Sequence, residues 1–237
     1  MKAILCTEWG GPEKLIVGDA PSLSAGPGEV VIDMRAAGVN FADTVIIQGT
    51  YQLKPDFPFT PGLEVAGVVA QLGDGVDSVS VGDRVVGIPN IGAFAEQVVV
   101  KAAAVVPIPD DMDFEAAASF AVAYSTSHMA LDYRAGLKKG ETLLVFGAAG
   151  GVGLTAVELG NIMGAKVIAC ASTQEKLDLC SNRGAEHVIN YTEEDIRERV
   201  KEITGGKGAD VIYAVSYTHL RAHETDSYLV CRLLLEK

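Results

Sequence analysis

The 237-residue chain is short of the features that mark several protein classes. Its four cysteines, Cys6, Cys170, Cys180 and Cys231, are spaced neither as a redox pair nor as a metal-ligand set. Scattered thiols suit a reducing compartment, where they pack as small apolar side chains. No apolar run approaches the roughly 20 residues that a membrane-spanning helix needs. The amino terminus reaches Glu8 and Trp9 without the apolar stretch of a signal peptide. A cytoplasmic chain with no membrane partner is therefore expected. Cations are also few: 19 Lys and Arg stand against 31 Asp and Glu, a net charge of −12. Nucleic acids are bound through clustered Lys and Arg, so no nucleic-acid partner is expected either. A small anionic ligand stays open, because one loop can hold a phosphate whatever the global charge.

What is present falls into two regimes. Residues 1 to about 112 carry short Val-rich runs, Glu29–Arg35, Val65–Leu72, Arg84–Ile88 and Glu96–Val100. Turn signals such as Gly26-Pro27-Gly28 and Gly73-Asp74-Gly75 separate them, which predicts a β domain. From residue 113 to 213 apolar runs alternate with helical patterns. A long helix is predicted over Phe114–Ala135, then strand Thr142–Phe146, helix Val152–Met163, strand Lys166–Ala171, helix Gln174–Asn182, strand His187–Asn190, helix Glu193–Ile203 and strand Asp210–Tyr213. Parallel neighbours need a crossover helix, so the alternation predicts a doubly wound parallel sheet. The run Thr142-Leu143-Leu144-Val145-Phe146 reads as a central strand buried on both faces. The expected fold class is α/β with a preceding β domain.

The most informative motif is Gly147-Ala148-Ala149-Gly150-Gly151-Val152-Gly153, directly after that central strand and opening a helix. In this context Gly147, Gly150, Gly151, Val152 and Gly153 are candidates for holding a dinucleotide pyrophosphate. Glycines permit the tight turn and let backbone N–H groups approach the ligand, and the helix start adds its positive end. The tip of the next strand bears on the choice of cofactor. NAD sites usually present Asp or Glu to the ribose there. This chain has Cys170-Ala171-Ser172-Thr173 followed by Gln174-Glu175-Lys176, with no carboxylate at the tip. Ser172 and Lys176 suit a 2′-phosphate, which favours NADPH. The plain alternative is a helix cap at Ser172 or Thr173 beside a solvated lysine, and the two can coexist.

Several segments together resemble the quinone oxidoreductases, zinc-free members of the medium-chain dehydrogenase/reductase superfamily. They are Asn40-Phe41-Ala42-Asp43, Pro58-Phe59-Thr60-Pro61-Gly62-Leu63-Glu64-Val65-Ala66-Gly67, Val81-Gly82-Asp83-Arg84-Val85, the glycine turn, and Gly184-Ala185-Glu186-His187-Val188-Ile189-Asn190-Tyr191. The resemblance covers residues 1 to about 213. It implies a GroES-like β domain over 1–112 beside a partial Rossmann NADP-binding domain over 113–213, with the active site in the cleft between them. It further implies hydride transfer from NADPH to a small quinone or enone, with Asn40, Tyr51 and Thr126 lining the nicotinamide and substrate end. Tyr51 is a candidate proton donor or a packing wall residue, and Tyr191 and Lys176 approach the 2′-phosphate. A homodimer is implied for the parent protein. An enoyl or alkenal reductase and a non-catalytic NADP-binding protein are the alternatives.

Departures from the zinc-dependent relatives point the same way. Those enzymes hold a catalytic metal with a Cys and a Gly-His-Glu segment, where this chain has Asn40 and Gly62-Leu63-Glu64. Leucine does not coordinate zinc, and Glu64 alone does not hold it, so no metal is expected. His128 and His187 read as helix-face and strand-end residues. Residues 214–237 do not continue the family pattern. Their reverse translation resembles a transposase adapter followed by a flow-cell sequence, so a non-native tail on a truncated, inactive domain is expected. His219 and His223, four apart, are the competing metal reading of that tail. With the sheet cut after its fourth strand, Asp210–Tyr213 is expected to be an exposed edge.

Overall fold

The computed structural model describes residues 1–214 and, for the backbone, 230–232. The chain divides into two compact units, Met1–Val122 and Ala123–Lys237, with the division inside one helix.

In the first unit, β1 (Lys2–Cys6) and β2 (Leu15–Asp19) form an antiparallel hairpin. β3 (Glu29–Gly38), β4 (Glu64–Leu72), β5 (Arg84–Gly87), β6 (Gln97–Lys101) and β7 (Val105–Pro107) make a second antiparallel sheet in the order β6-β3-β4-β5-β7. Two register shifts along β3 and β4, at Val31/Ile32 and Met34/Ala36, curl this sheet. Alternation places Val30, Ile32, Val65, Val69, Val85, Val98 and Val100 in one buried cluster. Fully burying one such side chain is worth about 1.5–3 kcal/mol, so this cluster holds the unit together. Helix α1 (Phe41–Ile47) lies between β3 and β4 in sequence and buries Ile46 and Ile47 against Cys6 and Phe59. The sequence reading contained neither the hairpin, nor α1, nor β7.

Helix α2 (Phe114–His128) opens in the first unit, ends in the second, and continues as a wider π turn over Met129–Arg134. The predicted long helix is therefore present, with its last turns loosened. β8 (Thr142–Phe146), α3 (Gly151–Ile162), β9 (Lys166–Ala171), α4 (Gln174–Asn182), β10 (His187–Asn190), α5 (Ile196–Thr204) and β11 (Val211–Ala214) follow. Each is where the alternation places it, within a few residues. The sheet order is β10-β9-β8-β11-β12, with β8, β9, β10 and β11 parallel. Leu143 and Val145 face a cluster containing α3 residues Ala156 and Val157. Leu144 and Phe146 face the other side, with Val200 of α5. The sheet is thus covered on both faces, as the apolar run 143–146 of β8 requires. Burial pushes the Cys170 thiol up to about 12, so it stays a packed thiol at neutral pH.

One expectation is overturned. β11 is not an open edge, because β12 (Val230–Arg232) pairs with it antiparallel, Ile212 opposite Cys231. Unpaired backbone groups on a central apolar strand are costly, and this short strand satisfies them. Ala214, placed in the tail by the sequence reading, is the last residue of β11. Most of the tail, including the His219 and His223 pair, lies outside the described residues.

Candidate functional site

The second unit reverses its winding at β8. The chain steps outward through β9 and β10, then returns to place β11 on the other side of β8. In open α/β sheets, ligands bind at the carboxyl ends of the strands beside such a switch. The glycine turn occupies that position.

Two of its glycines are demanded by the backbone. Gly147 has φ 63°, a left-handed conformation. A Cβ on Gly153 would fall 2.2 Å from the Gly147 carbonyl oxygen and 2.9 Å from Ala148 Cα, so α3 packs onto the turn only without a side chain there. Gly150 and Gly151 differ. Gly150 precedes α3 in extended conformation, and its Cβ would sit at ordinary contact distance, 3.4 Å from Gly147 O. A Cβ on Gly151 would meet nothing within 4 Å. The turn is held by Gly150 N–H donating to Gly147 O (3.0 Å) and Ala148 N–H donating to Cys170 O (3.2 Å). As the first residues of α3, Gly151, Val152 and Gly153 have N–H groups with no carbonyl one turn earlier. No acidic side chain stands in that turn to neutralise the helix's positive end. Directed donors, uncancelled positive potential and open space at Gly151 together fit a pyrophosphate.

At the tip of β9, Thr173 rather than Ser172 caps α4, accepting the Lys176 N–H at 3.4 Å. The Lys176 ammonium turns back and donates to Ser172 Oγ, also at 3.4 Å. Ser172 and Lys176 are thereby brought together at the strand end. Tyr191 follows β10, its N–H donating to Ala171 O (3.2 Å), so it begins beside the same tip. Its ring packs partly against the cluster around Ile189.

A buried hydroxyl network lies behind the glycine turn, and the sequence reading missed it. Ser127 Oγ of α2 donates to Val152 O (2.8 Å) and contacts Thr155 Oγ1 (2.8 Å) and Tyr213 OH (3.2 Å). Thr155 Oγ1 also donates to Ala123 O (3.1 Å). An unmatched buried hydroxyl costs about 1–3 kcal/mol, and here each finds a partner, tying α2, α3 and β11 together. Burial raises the Tyr213 phenol, partly offset by its bond to Ser127. Thr126, the expected substrate-end residue, is half-buried on α2 immediately before Ser127.

In the first unit, Asn40 sits at the start of α1. Its N–H donates to Asp43 Oδ2 (2.7 Å) in a reciprocal capping arrangement. Its side-chain amide donates to Glu64 Oε1 at 2.8 Å. Glu64 and Asp43 are both buried, and burial raises both carboxyls above their ordinary values, partly offset by the N–H donors around them. The Asn-x-x-Asp spacing is a readable capping signal, but nothing in sequence joins Asn40 to Glu64. Tyr51 lies in the loop after α1, 37% exposed. At Gly62-Leu63-Glu64, the leucine packs against the cluster around Cys6, Ile46 and Phe59. Among the described residues, no group of three or more His, Cys, Asp or Glu is arranged to hold a metal.

A curled antiparallel β unit, then a parallel βα unit with a glycine-rich first crossover, is the arrangement of the medium-chain dehydrogenase/reductase fold. The alcohol dehydrogenase GroES-like domain family matches residues 26–110, and the zinc-binding dehydrogenase family matches residues 151–222. Quinone oxidoreductase-like protein 2 of Rattus norvegicus is 39% identical over 211 residues, covering 89% of this chain and 60% of the relative. A probable oxidoreductase from Mycobacterium abscessus superimposes with TM-score 0.84 at 40% identity, covering 90% of this chain and 67% of that one. The Escherichia coli quinone oxidoreductase complexed with NADPH gives TM-score 0.85 at 36% identity, covering 90% and 65%. The chain belongs to the quinone oxidoreductase family of the medium-chain dehydrogenase/reductase superfamily. It spans about 60% of the length of the curated relatives it matches.

Among the described residues, no helix is long and apolar enough to cross a membrane.

Proposed function

We propose that the chain serves an NADPH-dependent, zinc-independent reduction of quinones or related conjugated carbonyls. The observation that carries this reading is the glycine turn, which opens α3 with no acidic residue in its first turn and with open space around the Cβ position of Gly151. Gly147, Gly150, Gly151, Val152 and Gly153 hold the pyrophosphate, the backbone donating and the helix start supplying positive potential. Ser172 and Lys176, joined at the β9 tip, take the 2′-phosphate with Tyr191 beside them. The E. coli relative solved with NADPH supports the cofactor assignment. When bound, NADPH supplies the hydride. Asn40, Tyr51 and Thr126 line the nicotinamide and substrate end, and Tyr51, partly open to solvent, delivers the proton to the reduced product. Leu63 and Asn40 provide no metal ligand where zinc-dependent relatives have theirs, so no Lewis acid is built here to activate an alcohol. An acceptor that is already electrophilic removes that need.

The test is a fluorescence titration with NADPH and NADH, followed by rates of NADPH oxidation with a quinone, an enone and an enoyl thioester. Tighter binding of NADPH and turnover of the quinone are expected. Failure to bind NADPH, or a preference for NADH, would overturn the cofactor assignment. Turnover of the thioester alone would replace quinone with enoyl reduction.

A further inference from the structure

We propose that Glu64 is a positioning residue: its buried carboxylate sets how the Asn40 side chain is turned and ties Asn40 to helix α2. This rests on the reading above only in assigning Asn40 to the substrate end.

Glu64 opens β4 and is 2% exposed. Core carboxylates are rare, because leaving water is costly and an apolar side chain of similar size would fill the same space. The fold therefore does not need an acid here, but the surroundings are built for one. Oε1 accepts from Asn40 Nδ2 and Oε2 accepts from the Val122 backbone N–H, both at 2.8 Å. β3 makes room for it: a Cβ on Gly38 would fall 2.2 Å from Glu64 Oε1 and 2.6 Å from the Ala118 carbonyl oxygen of α2. One side chain thus spans the end of β3, the start of α1 and the middle of α2.

The chemistry of the two contacts fixes polarity. An ionised carboxylate only accepts hydrogen bonds, so Asn40 must turn its NH2 group inward to Glu64. With its backbone N–H bound by Asp43, Asn40 is held from two directions before any ligand arrives. A glutamine at position 64 breaks this logic although its shape is nearly the same. Val122 N–H requires the glutamine oxygen, which leaves the glutamine NH2 facing the Asn40 NH2. Two donors then oppose each other, and Asn40 must turn over or withdraw. Replacing Asn40 by aspartate as well restores a donor–acceptor match, and aspartate caps a helix as well as asparagine does. The Glu64→Gln/Asn40→Asp pair therefore repairs the packing while removing the amide.

The test compares wild type, Glu64→Gln and the Glu64→Gln/Asn40→Asp double variant. In the unliganded protein, the Asn40 side-chain amide protons should be protected from exchange in wild type and lose protection in Glu64→Gln. Equal protection in both would overturn the proposal whatever the activity. In turnover, Glu64→Gln should lower kcat/KM for the acceptor by about tenfold, the value of one hydrogen bond to a charged group, and leave NADPH affinity within about twofold. The double variant should regain the wild-type melting temperature and still lack that tenfold. Recovery of turnover together with stability would make Glu64 merely structural and overturn the proposal. If wild type itself shows no NADPH-dependent reduction, the functional reading fails, while amide exchange still decides whether Glu64 orients Asn40.

Discussion

The glycine turn permits a test in which two neighbouring Gly→Ala changes move stability in opposite directions and cofactor affinity in the same one. In Gly153→Ala the new Cβ lies 2.2 Å from Gly147 O and 2.9 Å from Ala148 Cα. Both are backbone atoms, and the turn that carries them is pinned to β9 through Ala148 N–H and Cys170 O. Relief requires α3 to slide away from β8, since no flexible side chain is there to give way. Overpacking costs about 1–3 kcal/mol, and a backbone clash belongs at the upper end. Gly151→Ala meets nothing within 4 Å, and its φ is not in the left-handed region. Alanine in a helix is more stable than glycine by roughly 0.5–1 kcal/mol, so this variant should be slightly more stable than wild type. Its methyl group nevertheless enters the open space at Gly151 where the proposed pyrophosphate would lie. Losing one charge-assisted phosphate contact there is worth about 1.5–3 kcal/mol, or roughly 10- to 100-fold in Kd. Urea denaturation measures the first quantity and fluorescence titration with NADPH the second. A Gly151→Ala protein that binds NADPH as wild type does would show that the open space is not the pyrophosphate site. A Gly153→Ala protein of unchanged stability would refute the packing argument.

Lys176→Ala should weaken NADPH binding by roughly 1.5–3 kcal/mol, as for one charge-assisted hydrogen bond, and leave NADH nearly unaffected; an unchanged NADPH/NADH ratio in parallel titrations would remove Lys176 from the site. Ser127→Ala removes the hydroxyl shared by Val152 O, Thr155 and Tyr213 and leaves the buried Tyr213 OH without its hydroxyl partner, so it should cost about 1–3 kcal/mol by urea denaturation, against about 1 kcal/mol for Tyr213→Phe. Equal losses would mean that the hydroxyls do not act as a network. Burial holds the Glu64 carboxyl above its ordinary 4.5, so the folded chain binds this proton more tightly than the unfolded chain. Its contribution to stability is therefore greatest below that ordinary value, declines as pH rises through the raised folded value, and then levels off. The melting temperature of wild type relative to Glu64→Gln should fall across that window, and a difference that grows with pH would contradict the burial argument.

What could be read from the chain in advance follows from where the determining contacts lie. β8 announces itself because a strand covered on both faces is apolar at successive positions, here residues 143 to 146, and Leu143 and Leu144 do face opposite clusters. The glycine turn is legible because strand, turn and helix start occupy one continuous stretch. The same holds for Ser172 and Lys176, one helical turn apart. α1 escaped because seven residues are too few to display a helical period, and β1 because its pairing with β2 carries little alternation: Ile16 and Val17 are both exposed. The closing strand β12 lies in a stretch that matches no family pattern, so only the unmet hydrogen bonds of β11 called for it.

The site divides along the same line. Every residue placed at the nucleotide end lies in or directly beside the β8–β9–β10 crossovers, where chain connectivity alone brings the strand tips to one edge. The contacts that organise Asn40 come from β4 and, through Glu64, from the middle of α2, 58 residues further along the chain. No spacing rule connects such positions. The sequence offered Asn40 as a substrate-end residue and, with Glu64, as a position lacking a metal ligand set, whereas the structure joins the two through a buried carboxylate. The Glu64 carboxylate is spent on Asn40 and Val122, while Leu63 beside it packs into the cluster around Cys6, Ile46 and Phe59. A histidine at Leu63 alone would not create a zinc site, because the Glu64 oxygens are already committed to Asn40 and Val122. Leu63→His should therefore gain no measurable zinc affinity by equilibrium dialysis, while Leu63→His combined with Asn40→Cys, which frees Glu64 Oε1 and adds a thiolate, should gain it. Zinc binding by the single variant would mean that the Glu64 carboxylate is not held as firmly as its two 2.8 Å contacts imply.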